Sequence, residues 1–306
     1  MSDIIRQKIN QRIIDALEKG HVPFWNRPWK RDARGDHHNF ISKKAYRGVN
    51  AWVLELTAMD QGWINTTWGT MKQWNQFGGR VRKGEKASMI VFWKPVFGDE
   101  EVDGKKKVKA FLLRYYNVFN VEQIVPESEI AGKALDRFRI KPDIAPDIPL
   151  TEDYKVAQEI VDACVKDGLI ITHKGDKAFW KNDTENVTLP ERKKFITPSH
   201  YFETLFHEIS HWTELERHTD WDRLKHGYAM GELRAEISCA YLANYANIPH
   251  AQDLDNHTAY IKSWLEQMKK DDQWIFRACK FADAAATCIL RIAGMNGESE
   301  ESAAAA

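Results

Sequence analysis

The chain has no apolar run approaching the roughly 20 residues that a membrane-spanning helix needs, which removes helical membrane proteins from the expected classes. Cysteine is scarce: Cys164, Cys239, Cys279 and Cys288 are the four among 306 residues, and no two form a C-x-x-C pair. That leaves neither a disulfide framework nor a thiolate zinc site, and the four are expected to be reduced core thiols of a cytoplasmic protein. The opening residues, Met1-Ser2-Asp3-Ile4-Ile5-Arg6-Gln7-Lys8, are charged and amphipathic and lack a signal-peptide core. Internal repeats are absent, and so is net charge, with 44 basic residues against 44 acidic. What is present is 43% hydrophobic and 11% aromatic residues in a length that suits two globular domains.

Against this background one stretch carries chemistry: Phe206-His207-Glu208-Ile209-Ser210-His211-Trp212. Histidines four apart lie on one face of a helix, so both imidazoles reach a single ion, and the intervening glutamate points at the remaining coordination position. A zinc-bound water has its pKa lowered to roughly 7, and a nearby carboxylate can take its proton. Tyr201, Phe202, Leu205, Phe206, Ile209, Trp212 and Leu215 supply apolar residues at helical spacing, with Ser199 as the expected N-cap. His207 and His211 are therefore candidate ligands of one divalent ion, zinc first, and Glu208 the candidate general base.

The third ligand is less constrained. Glu214 and Arg217 stand where an extended H-E-x-x-H-x-x-G-x-x-H motif needs Gly and His, which excludes that subclass. In Gly231-Glu232-Leu233-Arg234-Ala235-Glu236-Ile237, two carboxylates lie one turn apart on one helix face. A carboxylate among small and apolar residues is costly to bury unless paired or metal-bound. Glu236 is the expected ligand, and Glu232 a supporting partner or an N-terminal helix charge; Asp220 and Asp222 are weaker alternatives. For stabilising a developing oxyanion, Tyr228 is the first candidate and Tyr260 the second. The strand around Asn186-Val187-Thr188-Leu189 is expected to offer an edge to a substrate backbone.

The zero net charge hides a division. Residues 1–125 hold 22 Lys and Arg against 13 Asp and Glu, and residues 126–306 hold 22 against 31, so the halves carry +9 and −9. Between them, residues 126–150 hold four of the ten prolines, the composition of a linker. Seven of the 12 tryptophans fall in the basic half, several interleaved with cations and amides. Rings that stack bases at about 1–3 kcal/mol each, with Lys and Arg between them, suit single-stranded nucleic acid with low sequence specificity. Trp25, Arg27, Trp29, Lys43, Lys44, Arg47, Lys72, Trp74, Arg82 and Lys83 are the candidate contacts, whereas Trp52 reads as a core residue. No helix-turn-helix or zinc-finger signature favours duplex reading.

Hydrophobic patterning predicts helices over 3–19, near 49–60 and near 70–77, then a long hairpin from the runs 88–93 and 108–119. Beyond the proline-rich stretch it predicts a helix over 151–167, short strands near 170–173, 178–181 and 186–189, the histidine helix, and further helices to about 293.

The chain resembles the ArdC-type antirestriction proteins. In the first half the resemblance rests on Leu17-Glu18-Lys19-Gly20, Trp25, Pro28-Trp29, Tyr46-Arg47-Gly48-Val49-Asn50, Gly78-Gly79, Val81-Arg82-Lys83-Gly84-Glu85 and Val118-Phe119-Asn120-Val121-Glu122-Gln123. In the second it rests on Leu205-Phe206-His207-Glu208, His211-Trp212-Thr213, Arg223-Leu224, Tyr228-Ala229, Glu232-Leu233 and Ala235-Glu236. Gly231 departs from the acidic residue usual there. The resemblance implies an α+β protein of two domains: a single-stranded DNA-binding domain over 1–125, joined through the linker 126–150 to a mainly helical zincin-like metallopeptidase domain with a small sheet over 151–295; beyond it, the acidic and alanine-rich composition of 296–306 is that of a disordered tail. It places the metal ligands on His207, His211 and Glu236 and the catalytic glutamate on Glu208. It implies protection of incoming plasmid DNA from host restriction, with a restriction enzyme subunit as a conceivable protein substrate. Two other readings stay open: a DNA-coating protein with a silent metal site, and a DNA-dependent protease acting on DNA-bound proteins.

Overall fold

The computed structural model describes residues 2–19, 37–102, 105–139, 154–248 and 258–295. These divide into two units, one holding 2–15 and 37–139 and the other 16–19, 154–248 and 258–295. The architecture is α+β. No helix among the described residues is long and apolar enough to cross a membrane.

The first unit contains most of α1 (Ser2–Glu18), then β1 (His38–Asn39), α2 (Gly48–Gln61), β2 (Thr67–Thr70), α3 (Met71–Phe77), β3 (Gly79–Val81), β4 (Ser88–Val102), β5 (Lys105–Asn120), β6 (Ile124–Pro126) and α4 (Glu129–Leu135). Its main sheet has the order β1-β2-β5-β4. Helix α3 starts on a capping box, in which Thr70 accepts from the Gln73 amide and Gln73 accepts from that of Thr70, and it ends at Gly78 with φ 86°. Trp74 then projects inward, stacks on Phe40 with ring centroids 4.0 Å apart, and donates its Nε1–H to the Phe119 carbonyl at 3.0 Å. Gly69 is required beneath this pair, since a Cβ there would lie 2.5 Å from the Phe40 ring.

The stretch expected as a linker is ordered over its described part. Strand β6 pairs with β3, and α4 buries Ala131 and Leu135, Leu135 in the same cluster as Trp74 and Ile124. Pro126 therefore closes a strand rather than opening a spacer. Residues 140–153 and the tail 296–306 lie outside the described residues.

The second unit contains α5 (Lys155–Lys166), β7 (Ile170–His173), β8 (Phe179–Lys181), β9 (Asn186–Leu189), α6 (Pro198–Trp212), α7 (Arg223–His226), α8 (Tyr228–Tyr245), α9 (Thr258–Lys270) and α10 (Trp274–Ile292). The sheet order is β7-β9-β8, parallel then antiparallel. Strand β9 is thus central, not the open edge expected of Asn186–Leu189; the edges are β7 and β8. Helix α6 is capped by Thr197 with Pro198 in its first turn, and Ser199, expected as the cap, is buried inside the helix. Helix α8 follows Gly227 (φ 79°) and is buried at every position from Met230 to Ala240. The paired hydroxyls of Ser210 and Ser238, 2.9 Å apart, mark where α6 and α8 approach.

Candidate metal centre

Helices α6 and α8 bring the titratable groups together. The Nε2 atoms of His207 and His211 lie 3.2 Å apart. The Glu232 carboxylate faces both, one oxygen 3.6 Å from Nε2 of His207 and the other 3.6 Å from Nε2 of His211. His207, His211 and Glu232 form a metal-holding constellation, their ligand atoms all within 4.8 Å of one another. Glu208, the next residue after His207, is buried with 8% exposure.

The Nδ1 sides of both rings are engaged separately. Nδ1 of His207 lies 3.3 Å from a Glu236 oxygen, and Nδ1 of His211 is 2.6 Å from Glu214 Oε1. Carboxylates behind ligating imidazoles fix the tautomer and ring orientation and raise ligand basicity. In this arrangement Glu232 faces the converging nitrogens, while Glu236, the expected ligand, lies against Nδ1 of His207. Glu232, in the second turn of α8, meets both α6 histidines, and Glu236 one turn later meets His207 at its other ring nitrogen.

Outer contacts hold these carboxylates. Arg223, on α7, places its guanidinium 3.4 Å from Glu214 and 3.5 Å from Glu232. Arg234 is buried with 1% exposure, donates to the Ser210 carbonyl and to the Thr213 and Thr219 hydroxyls, and lies 3.9 Å from Glu214. It ties the end of α6 and the turn carrying Glu214 to α8. Neither Glu214 nor the two arginines figured among the expected site residues; Glu214 lies three residues after His211, in the turn that follows α6, and its nearness to that residue is the signal that could have exposed it.

The electrostatics follow from this crowding. Burial opposes charge on His207, yet Glu236, Glu232 and Glu208 outweigh it and hold its pKa well above the ordinary value. Burial likewise opposes charge on His211, and Glu214 and Glu232 raise its pKa. Glu232 is disfavoured as an anion by burial, but hydrogen bonding from the two histidines drives its pKa far below the usual carboxylate range. Glu214 is lowered as well, burial being outweighed by His211 and the arginines. Four carboxylates around two imidazoles make a pocket that demands positive charge.

The residues fit a divalent ion. Two nitrogens about 2.05 Å from one tetrahedral ion are about 3.3 Å apart, close to the Nε2 separation here. Two imidazoles and one carboxylate are also the donor set of known catalytic zinc sites with an open fourth position.

Other expected residues fall differently. Asp222 caps α7 by accepting from the Leu224 and Lys225 amides, and Asp220 is exposed. Tyr228 opens α8 with 59% exposure, its ring 5.8 Å from the Arg223 guanidinium. The side chain of Tyr260 lies outside the described residues, as do Trp25, Arg27 and Trp29. Trp74 is buried with 0% exposure and is a core residue, not a stacking platform. Lys43, Lys72, Arg82 and Lys83 are exposed and Lys44 and Arg47 half-buried. They are spread over the turn after β1, the approach to α2, the start of α3 and the turn after β3. Arg82 is already bonded to Glu85 at 2.8 Å and to the Glu122 carbonyl at 3.0 Å.

Comparison with known proteins agrees with this division. Residues 3–119 match the N-terminal domain of anti-restriction factor ArdC, and residues 157–281 match the zincin-like metallopeptidase family MPTase-PolyVal. Protein y4eC of Sinorhizobium fredii is 30% identical over 292 residues, covering 91% of this chain and 89% of its own length. A DNA primase TraC of Escherichia coli is 31% identical over 306 residues, but the match spans 19% of that longer protein. The metal-free crystal structure of the antirestriction ArdC protein from R388 plasmid superposes with a TM-score of 0.73 at 30% identity, covering 96% of this chain and 99% of that one. The Mn(II)-bound structure of the same protein gives 0.70 over the same coverage.

Proposed function

Because the chain belongs to the ArdC antirestriction family, we propose that it protects incoming plasmid DNA from host restriction, its first unit binding single-stranded DNA and its second carrying a metal-dependent peptidase centre. The observation that carries the peptidase reading is the convergence of both α6 imidazoles on the Glu232 carboxylate, with Glu208 buried beside them. The DNA reading draws its support from the +9 balance of residues 1–125.

His207, His211 and Glu232 are the residues that would hold the ion, zinc being the one proposed. Bound there, a divalent ion supplies Lewis-acid polarisation of a carbonyl and lowers the pKa of water. Glu208 carries the proton: its carboxylate takes one from the attacking water and releases it to the leaving amine nitrogen. Glu236 and Glu214 hold the two rings from behind, so that both Nε2 atoms present lone pairs inward. Arg223 spans Glu214 and Glu232, steadying the charge of a crowded anionic pocket. Tyr228, exposed at the start of α8, is the candidate donor to an oxyanion after a rotation of its side chain.

Glu208→Gln tests this reading, because it keeps size and fold while removing the base. Metal content and DNA affinity should be unchanged, and peptide hydrolysis should fall about 10²–10⁴-fold. Loss of protection of transferred DNA in the same variant supports the peptidase account. Full protection by Glu208→Gln would instead favour a protein that acts by coating DNA.

A further inference from the structure

The hairpin of β4 and β5 leaves aromatic and cationic side chains outside that neither the core nor the metal centre uses. Strand β2 pairs with β5 only at Val118, Phe119 and Asn120, so from Asn117 outward the hairpin runs as a two-stranded ribbon. Asn50 of α2 occupies one point on its free edge, exchanging two 2.7 Å hydrogen bonds with the Val91 backbone. An isolated ribbon is marginally stable, and exposed apolar groups on one mark an interaction surface.

Among the described side chains three aromatics stay open on it: Trp93 is 42% exposed, Tyr115 49% and Tyr116 50%, whereas Trp52, Trp68 and Trp74 elsewhere in the unit are at 0%. Register fixes their faces. Val91 pairs with Tyr115 and Trp93 with Leu113, so Trp93 and Tyr115 are diagonal neighbours on one face, about 7–8 Å apart. That is close to two rises of about 3.4 Å along a nucleic-acid strand. On the opposite face Tyr116 pairs with Ile90, Arg114 with Phe92, and Lys94 with Leu112; both cations are exposed. No Asp or Glu occurs from Lys86 to Gly98 or from Gly104 to Val121, so nothing on these stretches repels a phosphate.

We infer that this ribbon is the single-strand grip of the protein, with unpaired bases stacking on Trp93 and Tyr115 on one face and phosphates neutralised at the ribbon's open edges by Lys94 and Arg114, whose long side chains start from the other face. The inference rests on the proposed DNA-binding role of the first unit and names the residues that perform it. The chemistry favours single strands over duplex, because a stacked ring needs a base face that pairing hides. It adds Trp93 and Tyr115 to the expected contacts, of which Trp74 is buried and Trp25 and Trp29 lie outside the described residues.

The test uses the full chain and a labelled oligothymidylate, read by fluorescence anisotropy across a salt series. Trp93→Ala with Tyr115→Ala should weaken binding at least tenfold, and Trp93→Phe alone should retain most of it. Lys94→Gln and Arg114→Gln should each reduce the steepness of the salt dependence by about 0.7 for every phosphate left without its cation. Circular dichroism and thermal melting establish that each variant is folded. Wild-type binding that the double alanine variant retains in full would overturn the grip while leaving the DNA-binding role intact. Absence of binding by the wild type would overturn that role and the grip together. Tighter binding of the matching duplex, with the same losses in the variants, would overturn single-strand stacking in favour of a ribbon lying in a groove.

Discussion

The two units differ in the ionisable groups they bury, although both bury tryptophans, Trp212 and Trp264 in the second as in the first, and the first buries the His37–Glu55 pair. In the second unit ionisable groups are drawn inside: Glu208, His211, Glu232 and Glu236 are all under 9% exposed, and each must be compensated by a neighbour or an ion. In the first unit the aromatic rings are drawn inside, with Trp52, Trp68 and Trp74 fully buried, while Lys43, Lys72, Lys83, Lys94 and Arg114 stay outside. A chemical centre declares itself by burying what burial penalises. A binding surface is what remains after the core has taken its share of the rings, so it shows only in the folded chain.

Removing a ligand should give the largest effect on this contrast. His207→Ala takes one of three inward donors, and metal affinity should fall by a hundredfold or more, measured by metal analysis after dialysis against a competing chelator. Glu214→Gln, which leaves the donors and disturbs only the support of His211, should lose about 10–100-fold in the same assay. An unchanged metal content in His207→Ala would mean that any bound ion sits elsewhere.

Trp74→Ala sharpens the contrast from the other side. As a core residue stacked on Phe40, it should cost about 3–5 kcal/mol of stability in denaturant unfolding and leave the oligonucleotide affinity of the folded fraction unchanged. Wild-type stability with weakened DNA binding would return Trp74 to the surface.

A smaller effect concerns protons. The surrounding carboxylates raise the pKa of both His207 and His211 in the metal-free protein, so protons are held on this pair more tightly than on free imidazoles. Ligation needs both neutral, so metal uptake near pH 6.5 should release protons, and more of them as pH falls, measurable by calorimetry in buffers of different ionisation enthalpy. For the metal-free protein the signs run the other way. The raised histidines contribute stability present in full below 6.5 and lost as pH rises through their folded values. Depressed Glu232 contributes stability present above 4.5 and lost as pH falls through its folded value. The site's contribution to the metal-free fold should therefore peak between pH 4.5 and 6.5, as thermal melting across pH would reveal.

Much of this was legible in the sequence. The spacing of His207 and His211 placed both on one face of α6, and the sequence pattern located the three short strands of the second unit, the start of β4 and the end of β5 to within a residue, but it stopped at 93 where β4 runs on to Val102. Three features were hidden for physical reasons. Helix α8 is buried all round, so its apolar pattern carries no facing information, and Glu232 and Glu236, one turn apart, could not be ranked by periodicity. Strands β1, β2, β3 and β6 carry no long run of β-branched residues to mark them and adjoin turns or helices, and β6 with α4 was concealed by a proline count. Glu214 lay in plain view at the right spacing from His211, but its chemistry depends on an outward-facing Nδ1 that only coordinates reveal.

The central claim is that Glu232 completes the inward donor set and Glu236 supports it from behind. Metal affinity of the wild type, Glu232→Gln and Glu236→Gln, titrated side by side with zinc against a chromophoric chelator, tests it most directly. The geometry predicts the larger loss in Glu232→Gln, with Glu236→Gln retaining one ion per chain at an affinity reduced about 10–100-fold. Full retention of the ion in Glu232→Gln, with its loss in Glu236→Gln, would contradict the account.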